Sequence, residues 1–163
     1  MGLEPDIINL AKGIGGFGIP MAMNLIKPDR DAWSPGEHTG TFRGQDLSFV
    51  AGTEALTYFD DPSFLESVQT KGEHITKRLE TIIADTKLEI TLRGKGMIKG
   101  LDFGKGEIAG AVSKAAFERD LIIGTCGPGN RVLKVMSPLT IPEDDLDLGL
   151  DKLADAIKAT EGN

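Results

Sequence analysis

With 163 residues, 40% of them hydrophobic, the chain is long enough to bury one ordinary core. A formal charge of −7 without any basic block argues against nucleic acid or an anionic membrane as a partner, and no apolar run approaches the roughly 20 residues of a membrane span. The single cysteine, Cys126, excludes an intrachain disulfide, suits a reducing cytoplasm and gives no thiolate metal site.

The opening MGLEPD lacks the basic-then-apolar plan of a signal peptide, and residues 1–4 read as a stub. Residues 7–11, IINLA, are predicted to be a buried strand of a parallel sheet. The run ends at Lys12, and a glycine-rich loop closed by Pro20 follows at once. A lysine at the end of such a strand stands where α/β proteins bind ligands, and the glycines let a flat ligand approach the main chain. A solvated lysine beside an ordinary turn is the plainer reading. Gly13, Gly15 and Gly18 also fit the dinucleotide fingerprint G-x-G-x-x-G, with Glu37 near the offset of a ribose-binding acid. That fingerprint requires a helix at the third glycine, whereas residues 20–26 read as a second strand stopped by Pro28. Residues 27–44 form a long polar connection of the kind that is often functional. It carries Trp33 and His38, and His38 reads as a hydrogen-bonding loop residue with no carboxylate at fixed spacing. Arg43 is either an anion ligand or solvated. A helix is predicted from Asp46 to about Phe59, with Phe49, Thr53, Leu56 and Tyr58 giving a partly apolar face.

Pro62 sits where a helix start needs no N–H partner. From Ser63 a long helix is expected to about Asp85, with Phe64, Val68, Ile75, Leu79, Ile82 and Ile83 on one face and Gly72 weakening its middle by about 1 kcal/mol. Residues 88–92 and 97–103 read as a hairpin turning at Arg93-Gly94-Lys95-Gly96. A helix over 107–119 would place Ile108, Val112, Ala115, Ala116 and Phe117 inward. Residues 121–123 and 132–136 read as strands, with Cys126 in a turn between them. The last helix begins near Glu143 with acids in its first turn, which suits the helix dipole, and Leu146, Leu150, Leu153 and Ile157 form its apolar stripe. Its aspartates lack the spacing of a calcium loop, so no metal site is expected.

The segment PDIINLAKGIGGFGIP resembles the Schiff-base segment of class III aminotransferases, which use pyridoxal 5'-phosphate. Downstream, GEHTGTFRG is similar to the family element His-x-x-Thr-Phe-x-Gly. Together with RGKGMIKGLDFG it is most similar to the diaminobutyrate–2-oxoglutarate branch, of the ectoine-pathway type. The similarity runs over the whole chain, which corresponds to the later part of a family member. The resemblance implies that Lys12 forms the imine with pyridoxal phosphate, and that Thr41 donates a hydrogen bond to the cofactor phosphate of the neighbouring subunit. Where the family shows Asn-Pro or Asn-Asn after the glycine, this chain has Gln45-Asp46. Much of the class also has an arginine before Pro-Pro-Leu that grips a dicarboxylic substrate. Lys134 takes that slot, keeping the charge and losing the bidentate fork; a strand-end lysine facing water is the alternative.

The implied fold is α/β, the C-terminal portion of the pyridoxal-phosphate transferase fold of type I. Residues 1–62 are expected to be the tail of the large parallel-sheet domain and residues 63–163 a small α+β domain. The family's pyridinium-binding aspartate, ring stacker and phosphate loop lie upstream of the lysine, and Asp6 is too near Lys12 to replace the aspartate. The implied function is amino transfer between L-2,4-diaminobutyrate and 2-oxoglutarate in a cytoplasmic homodimer, with a small amino donor and a 2-oxo acid as partners and neither nucleic acid nor membrane. On this reading the isolated chain is expected to be inactive or nearly so. The alternative is a truncated or split-gene product that serves only as a folding or dimerisation module.

Overall fold

Residues 2–16 and 18–161 are described by the structure, a computed structural model. Met1 of the opening stub, Phe17 of the glycine loop and the last two residues lie outside them. The chain divides between Phe64 and Leu65 into two units.

In the first unit, β1 (Ile7–Ala11) pairs with β2 (Ala22–Ile26) in antiparallel register, with Ile7 opposite Ile26 and Ala11 opposite Ala22. This corrects the expectation of a buried parallel strand at 7–11. Residues 12–21 are too few for the crossover of a dozen or more residues that parallel neighbours require, so the chain turns back on itself. The pair is also exposed, Ile7 by 51% and Ile8 by 42%. Apolar residues on both faces are the pattern of a strand covered on both sides, yet helix α1 (Asp46–Thr57) packs on the turn at Lys12–Gly15 rather than on the strands. The face α1 buries is also not the predicted one. Phe49, Leu56 and Tyr58 are exposed, whereas Ser48 and Gly52, one turn apart, are buried. Small residues win there because backbone must meet backbone. A β-carbon on Gly52 would stand 2.7 Å from the Ile14 carbonyl oxygen, and one on Gly16 2.6 Å from that of Ala51.

The second unit holds nearly all of α2 (Pro62–Ala84), then β3 (Thr91–Lys95), β4 (Ile98–Asp102), α3 (Gly106–Phe117), β5 (Gly124–Cys126), β6 (Val132–Met136) and α4 (Glu143–Thr160). The four strands form one antiparallel sheet in the order β3-β4-β6-β5. Alternation sends Met97, Leu101, Phe103, Leu133 and Val135 to one face. There they close a core with Ile75 and Leu79 of α2, Ala109 and Val112 of α3, and Leu150, Leu153 and Ile157 of α4. The opposite face stays open, with Ile98 and Met136 exposed side by side in register.

Three local expectations shift. The hairpin turns at Gly96-Met97, not at 93–96, because Gly94 takes φ +102° within β3 and Gly96 takes φ +56° at the turn. The strand expected at 121–123 forms instead at Gly124–Cys126, so Cys126 is a half-buried strand residue. Phe117, expected inward, is 68% exposed at the end of α3.

Candidate active site

The glycine-rich turn after β1 begins with a backbone irregularity. Lys12 has φ +59°, in the left-handed region, while glycines stand on its C-terminal side at 13, 15 and 16. A non-glycine residue held there is costly, by about 1–3 kcal/mol, and persists only where the surroundings enforce it. The enforcement comes from α1. Ser48, 1% exposed, places its Oγ 3.1 Å from the Pro20 carbonyl oxygen and equally far from Gln45 Oε1, so its one proton serves either oxygen in turn. Gly52 admits the Ile14 carbonyl. The turn is thus gripped at both ends by one helix face, and the lysine leaves it outward.

Lys12 is exposed, and its amine joins no ion pair or hydrogen bond among the described residues. Beside it the main chain is bare, since a β-carbon at Gly13 or Gly18 would meet nothing within 4 Å. A free amine beside an unobstructed floor suits condensation with an aldehyde on a flat ring, so these residues fit pyridoxal phosphate. They do not fit a dinucleotide, because no helix opens at Gly18; the next element is β2.

Thr41 lies in the same unit, exposed in the turn Gly40–Arg43, where the Arg43 N–H donates to the Gly40 carbonyl at 3.0 Å. No hydrogen bond joins Thr41 to the Lys12 turn among the described residues. Upstream in that connection Trp33 stacks on His38 with ring centroids 4.4 Å apart, while Phe42 beside Thr41 is exposed. Lys134 belongs to the other unit. It stands exposed on the open sheet face, between Gly100 and Gly124 in register, and borders an apolar cleft of about 400 Å³ that also involves Ile122, Met136 and Leu150.

Sequence reasoning passed over two features. Ser48 and Gly52 carry the turn, and their signal was a small-residue pair at i, i+4 in a helix whose large residues distracted from it. Asp102 is the other. It is 6% exposed on the open sheet face, with its oxygens 3.1 Å from Arg93 Nε and 3.2 Å from Arg131 Nε. The Gly104 N–H, then the Arg93 and Arg131 guanidiniums, hold its carboxyl below the ordinary range against the opposing effect of burial. Among the described residues no group of three or more potential ligands is arranged for a metal ion, and no helix is long and apolar enough to cross a membrane.

Comparison with known proteins supplies the context of this turn. The family described as Aminotransferase class-III matches residues 1–157. A diaminobutyrate–2-oxoglutarate transaminase of Sporosarcina pasteurii is 46% identical over 158 residues, which are 95% of this chain and 37% of the relative. The corresponding protein of Halalkalibacterium halodurans is 42% identical over 97% of this chain and 37% of its own length. The chain therefore spans little more than a third of the relatives it matches. Among solved structures, ornithine delta-aminotransferase of Plasmodium falciparum superposes with a TM-score of 0.84 at 25% identity, over 99% of this chain and 42% of that one. An aminotransferase of Bacillus anthracis gives 0.84 at 22% identity, over 97% and 40%. The mixed α/β architecture is that of a portion of the type I transferase fold.

Proposed function

The chain belongs to the class III aminotransferases, and on that premise we propose that it supplies the reactive lysine of a diaminobutyrate–2-oxoglutarate transamination. The family is pyridoxal-phosphate-dependent. When bound, that cofactor is the electron sink that makes a carbon–hydrogen bond beside the amine labile. The rest falls to side chains. Lys12 Nζ is the group that would hold the cofactor at its aldehyde carbon and, once the donor amine stands there instead, would be free to act as a base. It then accepts the proton from the donor's amine-bearing carbon and delivers it during the return half of the exchange. The bare main chain at Gly13 and Gly18 leaves room for a ring to lie close. Thr41 donates its hydroxyl to the phosphate bound in a neighbouring copy, so the working form is a homodimer. Lys134 meets a carboxylate of the 2-oxo acid as a point charge. On this reading residues 1–62 are the tail of the cofactor domain, residues 63–163 are the small domain, L-2,4-diaminobutyrate is the donor in an ectoine-type pathway, and the compartment is the cytoplasm.

The observation that carries the reading is the left-handed backbone of Lys12, imposed on a free amine by the packing of α1. A second reading, a module that only folds or dimerises, draws on the exposed apolar faces of β1 and β2. A spectral titration separates the two. Pyridoxal phosphate added to the chain should produce a saturable protein-bound absorbance band at one site per chain, lost in Lys12→Ala and kept in Lys105→Ala. Equal bands in all three proteins would remove the assignment and leave the module reading.

A further inference from the structure

The connection from Lys27 to Gly44 carries three permanent cations in a chain of net charge −7. Lys27 lies 3.7 Å from Asp6, and Arg30 lies 3.5 Å from Asp6 and 3.8 Å from Asp29. Arg43 pairs with no carboxylate among the described residues. An unpaired surface arginine ordinarily swings in water, but this one is held. Its side chain folds back over Gly40, where a β-carbon would stand 3.0 Å from both Arg43 Cγ and Arg43 Nε. Arg43 Nη1 donates to the His38 carbonyl at a long 3.4 Å. His38 is in turn stacked on Trp33. The turn just before it is closed twice, by the Glu37 N–H donating to the Ser34 carbonyl at 3.0 Å and by the Ser34 N–H donating to Glu37 Oε2 at 2.7 Å. The other guanidinium N–H groups donate to no protein acceptor among the described residues.

Thr41 and Arg43 belong to one tight turn, closed by the Arg43 N–H on the Gly40 carbonyl. A threonine hydroxyl gives a phosphate one neutral donor and leaves its negative charge unanswered. A guanidinium gives charge and a planar fork that matches two phosphate oxygens. A fork already held in place loses less freedom when the anion arrives. We propose that Arg43 is a second phosphate-binding residue, and that its fork and the Thr41 hydroxyl grip one phosphate together, that of the cofactor bound in a neighbouring copy. Trp33 is then a positioning residue, acting through His38. The inference rests on the reading of Thr41 as a phosphate contact. It goes beyond that reading, because Arg43 stands at the position that the element His-x-x-Thr-Phe-x-Gly leaves open.

The test uses pyridoxine 5'-phosphate, which has the ring and the phosphate but no aldehyde, so its binding is independent of whether Lys12 reacts. The isotopically labelled chain is titrated with it and with pyridoxine, and the backbone amides of Thr41 and Arg43 are followed. Saturable shifts at both amides are expected, with pyridoxine phosphate preferred over pyridoxine. Arg43→Gln should cut that preference about tenfold, and Arg43→Lys, which keeps the charge and loses the fork, severalfold. Trp33→Ala should weaken binding of the phosphate ester, and Trp33→Phe should restore it. No shift at either amide would retire the Thr41 reading and the proposal together. Binding that Thr41→Ala weakens and Arg43→Gln does not would overturn the proposal alone. So would an equal loss of both ligands in Arg43→Gln, which would mean that the loop, not the phosphate contact, was damaged.

Discussion

At the scale of single residues, the chain spends stability on Lys12. Its φ of +59° is a conformation that glycine adopts freely. Substituting Lys12→Gly should therefore stabilise the turn, by about 1 kcal/mol, while abolishing cofactor binding. Amide hydrogen exchange at Gly13 to Gly16 reads the first effect and the absorbance titration the second. Slower exchange with lost binding is the expected pair, and faster exchange would mean that the lysine side chain itself holds the turn. Lys12 stood out in the sequence through the resemblance of its segment to the family's Schiff-base segment, since by itself a lysine beside glycines reads most plainly as solvated. Ser48 and Gly52 did not, because small residues in a helix carry no hydrophobic signal. Their importance lies in a distance between two backbones, and periodicity contains no distances.

At the scale of elements, α2 and α4 show how packing overrides propensity. Gly72 in mid-helix reads as a weakness of about 1 kcal/mol relative to alanine. In the structure it is where the helix meets the hairpin tip, and a β-carbon would stand 2.9 Å from the Gly96 carbonyl carbon. Overpacking costs about 1–3 kcal/mol, and the obstructing atom is backbone, which yields poorly. Gly72→Ala should therefore lower the thermal midpoint despite its better helix propensity, whereas a rise would place the hairpin further from α2 than the structure does. The outer sides of these helices are joined by polar contacts. His74 Nε2 lies 2.6 Å from Asp147 Oδ1, and Arg78 reaches both Asp147 and Asp151. The stripes of α2 and α4 and strand β6 were readable because their periodicity is regular. The hairpin register, the site of β5 and the fate of Phe117 depended on glycine conformations and on how far α3 extends over the sheet. Neither is written as a pattern of apolar residues.

At the scale of the whole molecule, an acidic chain carries carboxylates whose ionised form folding favours. Asp61 is held low by the Ser63 hydroxyl and N–H, Glu161 by the Thr86 hydroxyl and the Lys87 N–H, and Asp102 by the Gly104 N–H and two arginines. A folded pKa below the unfolded one gives stability that is fully present above the ordinary carboxylate values, 3.8 and 4.5 here, and is lost as pH falls through the folded values. Lys158, raised by Asp85, acts in the opposite sense, contributing below its ordinary 10.5 and fading as pH rises through its folded value. Thermal midpoints should thus fall steeply on acidification below about pH 4. Asp102→Asn should start less stable at neutral pH and lose less on acidification; an unchanged slope would mean that Asp102 titrates alike in the folded and unfolded chain. The sequence made the α/β class and the family legible through two short motifs. The antiparallel return of β2 was less so, since the strand's apolar residues say that it is made to be covered and not in which direction its neighbour runs.

The account stands on the identity of one nitrogen. The most direct measurement is to incubate the chain with pyridoxal phosphate, reduce with borohydride, digest and map the pyridoxyl mass to its lysine. The account predicts the label on the peptide that carries Lys12, at far higher occupancy than at exposed lysines such as Lys105 and Lys114, and its loss in Lys12→Ala. A label spread evenly over surface lysines, unchanged by that substitution, would contradict it.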